Sequence, residues 1–270
     1  MLKKMSKLIC KILVFILLTI TTQIGGILYI LVEFSTRRSI HKKYRLKKVM
    51  LFTIAYLVMT FLIVPYIAPI FGREKIKDTK QIESHRFITK LLNRNYVNPE
   101  LYNVIKSISN SLRQSNRDIS LIYLDANFPF IDGFPLFPHL SHTDGKKIDI
   151  SFIYKDSINK ITNQKPSISG YGVFEAPIKQ EYNQIQICKK KGYWYYDFTK
   201  YITLGTVNNT LKISEKATKD LLLAIIAQPQ IGKIFIEPHL KNRLKIHNPK
   251  IRFHGCQAVR HDDHIHLQLK

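Results

Sequence analysis

Acidic side chains are scarce in this 270-residue chain: 19 Asp and Glu stand against 42 Lys and Arg, a formal net charge of +23. Such a surface is drawn to anionic material of any kind, whether nucleic acid, lipid or cell wall. Helix-turn-helix, RNA-binding and zinc-finger spacings are all missing, so a specific nucleic-acid partner is not expected. Also missing are His-Glu-x-x-His, a phosphate loop and Gly-x-Ser-x-Gly. Ser157-Ile158-Asn159-Lys160 matches Ser-x-x-Lys, yet no Lys-Thr-Gly completes that site, and such a tetrapeptide arises readily by chance. Only three cysteines occur. Cys10 precedes its apolar run, which argues against lipoprotein cleavage. Cys188 and Cys256 fall where an oxidising compartment would permit a disulfide, with two unpaired thiols as the alternative. There is no internal repeat and no low-complexity tract.

Long apolar runs are present, and they sit early. Ile12 to Val32 and Val49 to Phe71 are each long enough to span a ~30 Å hydrocarbon core, which predicts a two-helix membrane anchor over 1–71. Between them, the stretch 33–48 carries Arg37, Arg38, Lys42, Lys43, Arg45, Lys47 and Lys48 against the single acid Glu33. By the positive-inside rule this loop is cytoplasmic and everything after Phe71 lies outside, although Lys3, Lys4, Lys7 and Lys11 pull the other way. A signal peptide is the competing account of the first run, but no small-x-small cleavage site follows it. Either way the rest of the chain is exported. Residues 72–270 hold 31 of the 42 basic and 18 of the 19 acidic side chains, a net of +13 that suits an anionic cell wall.

After the anchor, 72–97 reads as a charged juxtamembrane linker followed by a helix near Gln81–Asn93. A second helix over Pro99–Gln114 is marked by Asn98-Pro99-Glu100 and by Leu101, Val104, Ile105 and Ile108 on one face. Strands are predicted at Ile119–Leu124, Lys147–Tyr154, Lys233–Ile236 and His264–Leu269. Ser214 should cap a helix to Gln228 that buries Ala217, Leu221, Leu222, Ile225 and Ile226. Pro129 to Pro138 should be a loop. The aromatic run Tyr193-Trp194-Tyr195-Tyr196-Asp197-Phe198 fits packing against a sheet better than lining a groove. These elements make an α+β domain over 98–270, with helices flanking a mainly antiparallel sheet.

Five of the ten histidines fall in two short clusters. In His264-Ile265-His266-Leu267-Gln268-Leu269 a strand's period of two puts both histidines and Gln268 on one face and the aliphatic residues on the other. Upstream, His139-Leu140-Ser141-His142 leads through Gly145 to Asp149, where Ile148, Ile150 and Phe152 alternate with the acid. Two neighbouring strands could then offer His142, Asp149 and His266 to one point. Imidazole nitrogens with one carboxylate oxygen and an open fourth position are the ligands of catalytic zinc. A lone histidine is ordinarily a surface or hydrogen-bonded core residue, so the joint pattern carries the expectation.

These residues resemble the LAS group of zinc metallopeptidases, named for lysostaphin, D-Ala-D-Ala peptidases and sonic hedgehog, whose motifs are His-x6-Asp and His-x-His. Within that group the likeness is to penicillin-insensitive murein endopeptidases. Their His-x-x-His-x-x-Gly-x-x-x-Asp is matched by His139, His142, Gly145 and Asp149, and their His-x-x-His-x-His by His261, His264 and His266. Ala227 to Ile236 resembles their helix-to-strand segment, so the likeness covers about residues 98 to 270.

The resemblance implies the LAS fold and Zn2+ ligation by His142, Asp149 and His266, with His139 as an additional ligand. It makes His264 and His261 the catalytic or transition-state-stabilising histidines. It further implies peptidoglycan stem-peptide cross-links as substrate for a membrane-tethered domain on the extracytoplasmic side. A D-Ala-D-Ala carboxypeptidase and a non-catalytic zinc-stabilised wall-binding module are the alternatives. Asp262 and Asp263 either orient the imidazoles or are solvated acids on a turn. Two departures stand out: extra acids seen downstream of the first motif in some members are not matched, and the familiar murein endopeptidases are soluble, without membrane helices.

Overall fold

The computed structural model describes residues 2–36 and 44–270. Of the basic loop, Arg37, Arg38, Lys42 and Lys43 therefore lie outside the described residues. The chain opens with α1 (Leu2–Thr22), α2 (Gly25–Ser35) and α3 (Tyr44–Val58). It continues helically through a π turn (Met59–Ile63), α4 (Val64–Ile67) and a 3-10 turn (Ala68–Phe71). Next come β1 (Glu74–Lys75), β2 (Ile82–Ser84), α5 (Phe87–Leu91), β3 (Tyr96–Val97), α6 (Pro99–Ser115) and β4 (Leu121–Asp125). Then follow β5 (Lys147–Ser151), β6 (Tyr154–Lys155), β7 (Ile161–Thr162), α7 (Gln184–Lys190) and a 3-10 helix (Trp194–Ile202). The last elements are β8 (Lys212–Ile213), α8 (Glu215–Ile226), β9 (Ile231–Phe235), α9 (Pro238–Arg243), β10 (Ile251–Arg252) and β11 (His264–Leu269).

Two compact units result, each assembled from three stretches. The first comprises Met1–Ile76, Ile88–Pro99 and Asn127–Gly145; the second comprises Lys77–Phe87, Glu100–Ala126 and Lys146–Lys270. Residues 72–97 divide between them, with 72–76 and 88–97 in the first unit and 77–87 in the second.

In the first unit two helices, Lys4–Thr22 and Tyr44–Phe71, are long and apolar enough to cross a membrane. The expected span Ile12–Val32 is not one helix. Gln23 takes a left-handed φ of 67°, ending α1, and the chain turns back along it. Gly25 and Gly26 make the return possible, because a Cβ on Gly26 would lie 1.9 Å from Thr19 Oγ1 and 2.8 Å from the Phe15 carbonyl. The Thr22 hydroxyl accepts from Gly25 N at 2.8 Å and stitches the corner. Farther on, Pro65 has no N–H and crowds the turn before it; the π turn at Met59–Ile63 absorbs this. Ile24, Leu28, Tyr56, Val64, Ala68 and Tyr96 form the buried core, with Phe130 packed against it. β1 and β3 pair antiparallel at its edge.

The second unit is built on a six-stranded sheet ordered β10-β9-β11-β5-β4-β2. Its centre is antiparallel, but β10 with β9 and β2 with β4 are parallel. The sheet is therefore mixed, which corrects the mainly antiparallel expectation within a mixed α+β architecture. The parallel edge at β2 arises because Gln81–Asn93 is not a helix. Its first half extends beside β4, with Leu121 N donating to the Gln81 carbonyl at 2.7 Å, and only Phe87–Leu91 coils. A second, three-stranded sheet has the order β7-β6-β8.

Aliphatic alternation sets the core: Ile148 and Ile150 on β5 and Ile265, Leu267 and Leu269 on β11 are all buried, each such side chain contributing about 2 kcal/mol. α6 buries Leu101, Val104, Ile105 and Ile108 as its period demands. α8 starts at Ser214, whose side chain accepts from Ala217 N, and buries Leu221, Leu222 and Ile225.

Cys188 and Cys256 are joined as a disulfide across a sequence separation of 68, while Cys10 is free and exposed. Closing so long a loop restricts the unfolded chain, so a Cys188→Ser/Cys256→Ser variant should lose about 4 kcal/mol on the chain-entropy account. Thermal melts with and without reductant would measure it; wild type should fall towards the variant under reduction, and the variant should not respond.

Candidate metal centre

β11 and β5 are neighbours, and their register places His266 directly opposite Asp149 and His264 opposite Ser151. Because the aliphatic faces of both strands are buried, the alternation forces Asp149 and His266 to one side. His266 Nδ1 lies 2.8 Å from Asp149 Oδ1, and His264 Nε2 lies 3.7 Å from the same oxygen. All three side chains are buried. The other carboxylate oxygen, Oδ2, accepts from the Tyr171 hydroxyl at 2.9 Å. Tyr171 also sets its ring edge-on to His264, with centroids 5.0 Å apart.

Around this pair lies a ring of imidazoles. His261 stands 4.8 Å from His264 and 5.7 Å from His266 between centroids, and His254 stacks near His266 at 5.9 Å. Phe235, opposite His266 in β9, stacks on His254 at 4.1 Å and lies 5.6 Å from the His266 ring. Burial, reinforced by the neighbouring His264, His266 and His254, pushes His261 well below the usual imidazole range, so it is neutral. Burial alone would also lower His264, but the carboxylates of Asp263 and Asp149 overrule it and lift that group to about 9. A cation at Asp149 opposes the lift, since it takes up the carboxylate's charge.

A second layer of buried polar groups fixes these rings. Asp263 Oδ1 accepts from His264 Nδ1, a carboxylate being able only to accept, and this turns Nε2 towards Asp149. Its other oxygen accepts from Gly172 N at 2.6 Å. Gly172 has φ 80°, and a Cβ there would come 2.4 Å from the Thr199 carbonyl, so the loop carrying Tyr171 needs glycine at this point. Asp262 is held by the Arg260 guanidinium, with Nε at 2.6 Å from Oδ1, and Arg260 also reaches Asp197 at 3.0 Å. Glu237 accepts from the Tyr196 hydroxyl at 2.7 Å and from His261 N at 3.1 Å, while its own N donates to the His261 carbonyl at 3.0 Å. Burial raises the Glu237 carboxyl, against the pull of these donors.

The first unit carries the other two candidates. His139 and His142 are buried on the tight turn at the end of the Asn127–Gly145 stretch, their rings 5.4 Å apart. His142 N donates to the His139 carbonyl at 2.9 Å, closing that turn. Gly145 then adopts φ 73° and hands the chain to β5.

His139 and His142 in the first unit, and Asp149, His264 and His266 in the second, are thus buried side chains of the kinds that could hold a metal ion. Nitrogen and carboxylate oxygen suit zinc and several other divalent transition ions, so the donor set alone leaves the metal open. Both strands bring the second-unit candidates together as the alternation predicts. Asp263 is an orienting acid. Asp262 is buried but bound to Arg260, 3.9 Å from His239. Sequence reasoning missed Tyr171, Glu237, Arg260 and His254, for which no motif gave a signal. Of the aromatic run, Tyr196 is buried on Glu237, whereas Trp194 is 72% exposed. Ser157 to Lys160 forms a turn around Asp156, which accepts from Ile158 N and Lys160 N, at no site.

Glu237→Ala strands the Tyr196 hydroxyl and the His261 N–H in the interior, and should cost about 2 kcal/mol in chemical denaturation. Tyr196→Phe added to it should cost little more, since the shared bond is already gone. No protein-family model matches the chain, and no curated protein matches it.

Proposed function

We propose that this protein is a membrane-anchored zinc metallopeptidase that hydrolyses peptidoglycan stem-peptide cross-links, with its functional centre on the extracytoplasmic side. The observation that carries the reading is the buried pairing of Asp149 Oδ1 with His266 Nδ1 at 2.8 Å, flanked by His264 and His261. A carboxylate and an imidazole that share one buried point, the carboxylate steadied from outside by the Tyr171 hydroxyl, are what a divalent ion requires. In this reading zinc is held by Asp149, His266 and His142, with His139 as the additional donor. The antiparallel centre of the six-stranded sheet supports the LAS fold, and the two cluster spacings support the substrate class.

When bound, zinc supplies Lewis acidity towards the scissile carbonyl and acidifies the attacking water. The remaining work falls to the chain's own side chains. With its proton lost, which an ion drawing on the Asp149 charge would favour, His264 Nε2 takes the water's proton and passes it to the leaving amine, while Asp263 holds the ring at Nδ1. His261, kept neutral by burial, donates to the oxygen on which charge develops. Glu237 fixes the backbone of His261 and so the direction of that donation. Two apolar helices supply the anchor, and the disulfide belongs to an oxidising compartment outside the cytoplasm.

Full-length protein in lipid nanodiscs, loaded with zinc and given cross-linked muropeptides, should convert dimers to monomers without releasing terminal D-Ala, as read by mass spectrometry. His266→Ala and chelation should each abolish turnover. Release of D-Ala alone would reassign the protein as a carboxypeptidase; bound zinc without turnover would favour a wall-binding module.

A further inference from the structure

The apolar helices do more within their unit than provide a span, because they touch the stretch that bears His139 and His142. Gln23, at the break between α1 and α2, accepts from Phe130 N at 3.0 Å through Oε1. Phe71, the last residue of the long helix, sets its ring against Phe130 at 5.0 Å in an edge-on contact. Two residues later the buried Arg73 pairs with Asp132. Its guanidinium also lies under Gly145, where a Cβ would come 2.7 Å from Nε. At the start of the stretch, Tyr96 and Asn127 exchange backbone hydrogen bonds at 3.1 and 3.0 Å. Asn127–Gly145 is therefore held at its start by Tyr96 and a few residues on by Gln23, Phe71 and Arg73, of which Gln23 and Phe71 belong to the helical region and Arg73 lies two residues beyond it.

We propose that the membrane helices are the seat of the histidine-bearing stretch, with Gln23 and Arg73 as positioning residues for His139 and His142. The inference rests on the reading that these histidines are metal donors. A Gln at a left-handed φ inside an apolar region is costly by both conformation and polarity, and its acceptor is used on a backbone N–H of this stretch. Arg73 likewise gives up solvent to pair with Asp132 and to pack closely under Gly145 of the same stretch. A donor's geometry governs affinity through what supports it, so loosening either pin displaces His142 and weakens the ion without removing a ligand.

Zinc affinity of the full chain in nanodiscs, measured by competition with a chelating dye, tests this. Gln23→Ala and Arg73→Ala should each weaken zinc roughly tenfold or more, the range seen when groups supporting ligands are lost. Gln23→Glu, which keeps an acceptor oxygen, should restore most of the affinity. Tyr56→Phe is the control: it removes the 2.7 Å bond from the Tyr56 hydroxyl to the Leu91 carbonyl in the same unit, keeps the ring in the core that Phe130 packs against, and leaves the hydrogen bonds to the stretch intact. It should lower the melting temperature and leave zinc affinity within about twofold, well short of a supporting-group loss. Wild-type binding with unchanged Gln23→Ala and Arg73→Ala affinities would overturn the seat alone, as would an equal loss in Tyr56→Phe. Wild type that binds no zinc would overturn the metal reading and the seat with it.

Discussion

The register between β5 and β11 is the constraint from which the candidate centre follows. A one-residue slip would turn Asp149 and His266 into the aliphatic side and expel Ile148, Ile150, Ile265 and Leu267 from it. Five paired positions, from His264 opposite Ser151 to Gln268 opposite Lys147, hold that register, and apolar burial makes any other costly. The polar side is thus prescribed by the packing of the opposite one.

Placing so many ionisable groups in an interior is expensive unless each finds a partner. The second unit meets this by pairing in chains: Arg260 holds Asp262 and Asp197, Asp263 holds His264 and Gly172 N, and Glu237 holds Tyr196 and His261 N. The consequence is stiffness at the imidazoles. A preorganised site loses little on binding an ion, and the groups that confer it lie in loops rather than in the strands.

The legible part of this molecule was periodic. Alternation placed His264 and His266 on one face of β11 and Asp149 across from them, and the 3.6 period placed α6 and α8. Other features depended on partners far along the chain. The parallel edge at β2 exists because Gln81 finds Leu121, and no local pattern in Gln81–Asn93 announces that. The break in the first apolar run was hidden because Gln23, Gly25 and Gly26 are tolerated in many helices; only close packing on Thr19 and Phe15 exposes their purpose. Tyr171 reaches Asp149 across a sequence distance of 22, through a glycine-flanked loop that no motif marks.

The proposed activity depends on one divalent ion held by Asp149, His266 and His142. X-ray absorption on the zinc-loaded full-length protein tests that claim most directly. It should give one equivalent of zinc with only nitrogen and oxygen neighbours at ~2.0–2.2 Å and an imidazole scattering signature that diminishes in His142→Ala. Substoichiometric zinc, or a signature unchanged by His142→Ala, would contradict it.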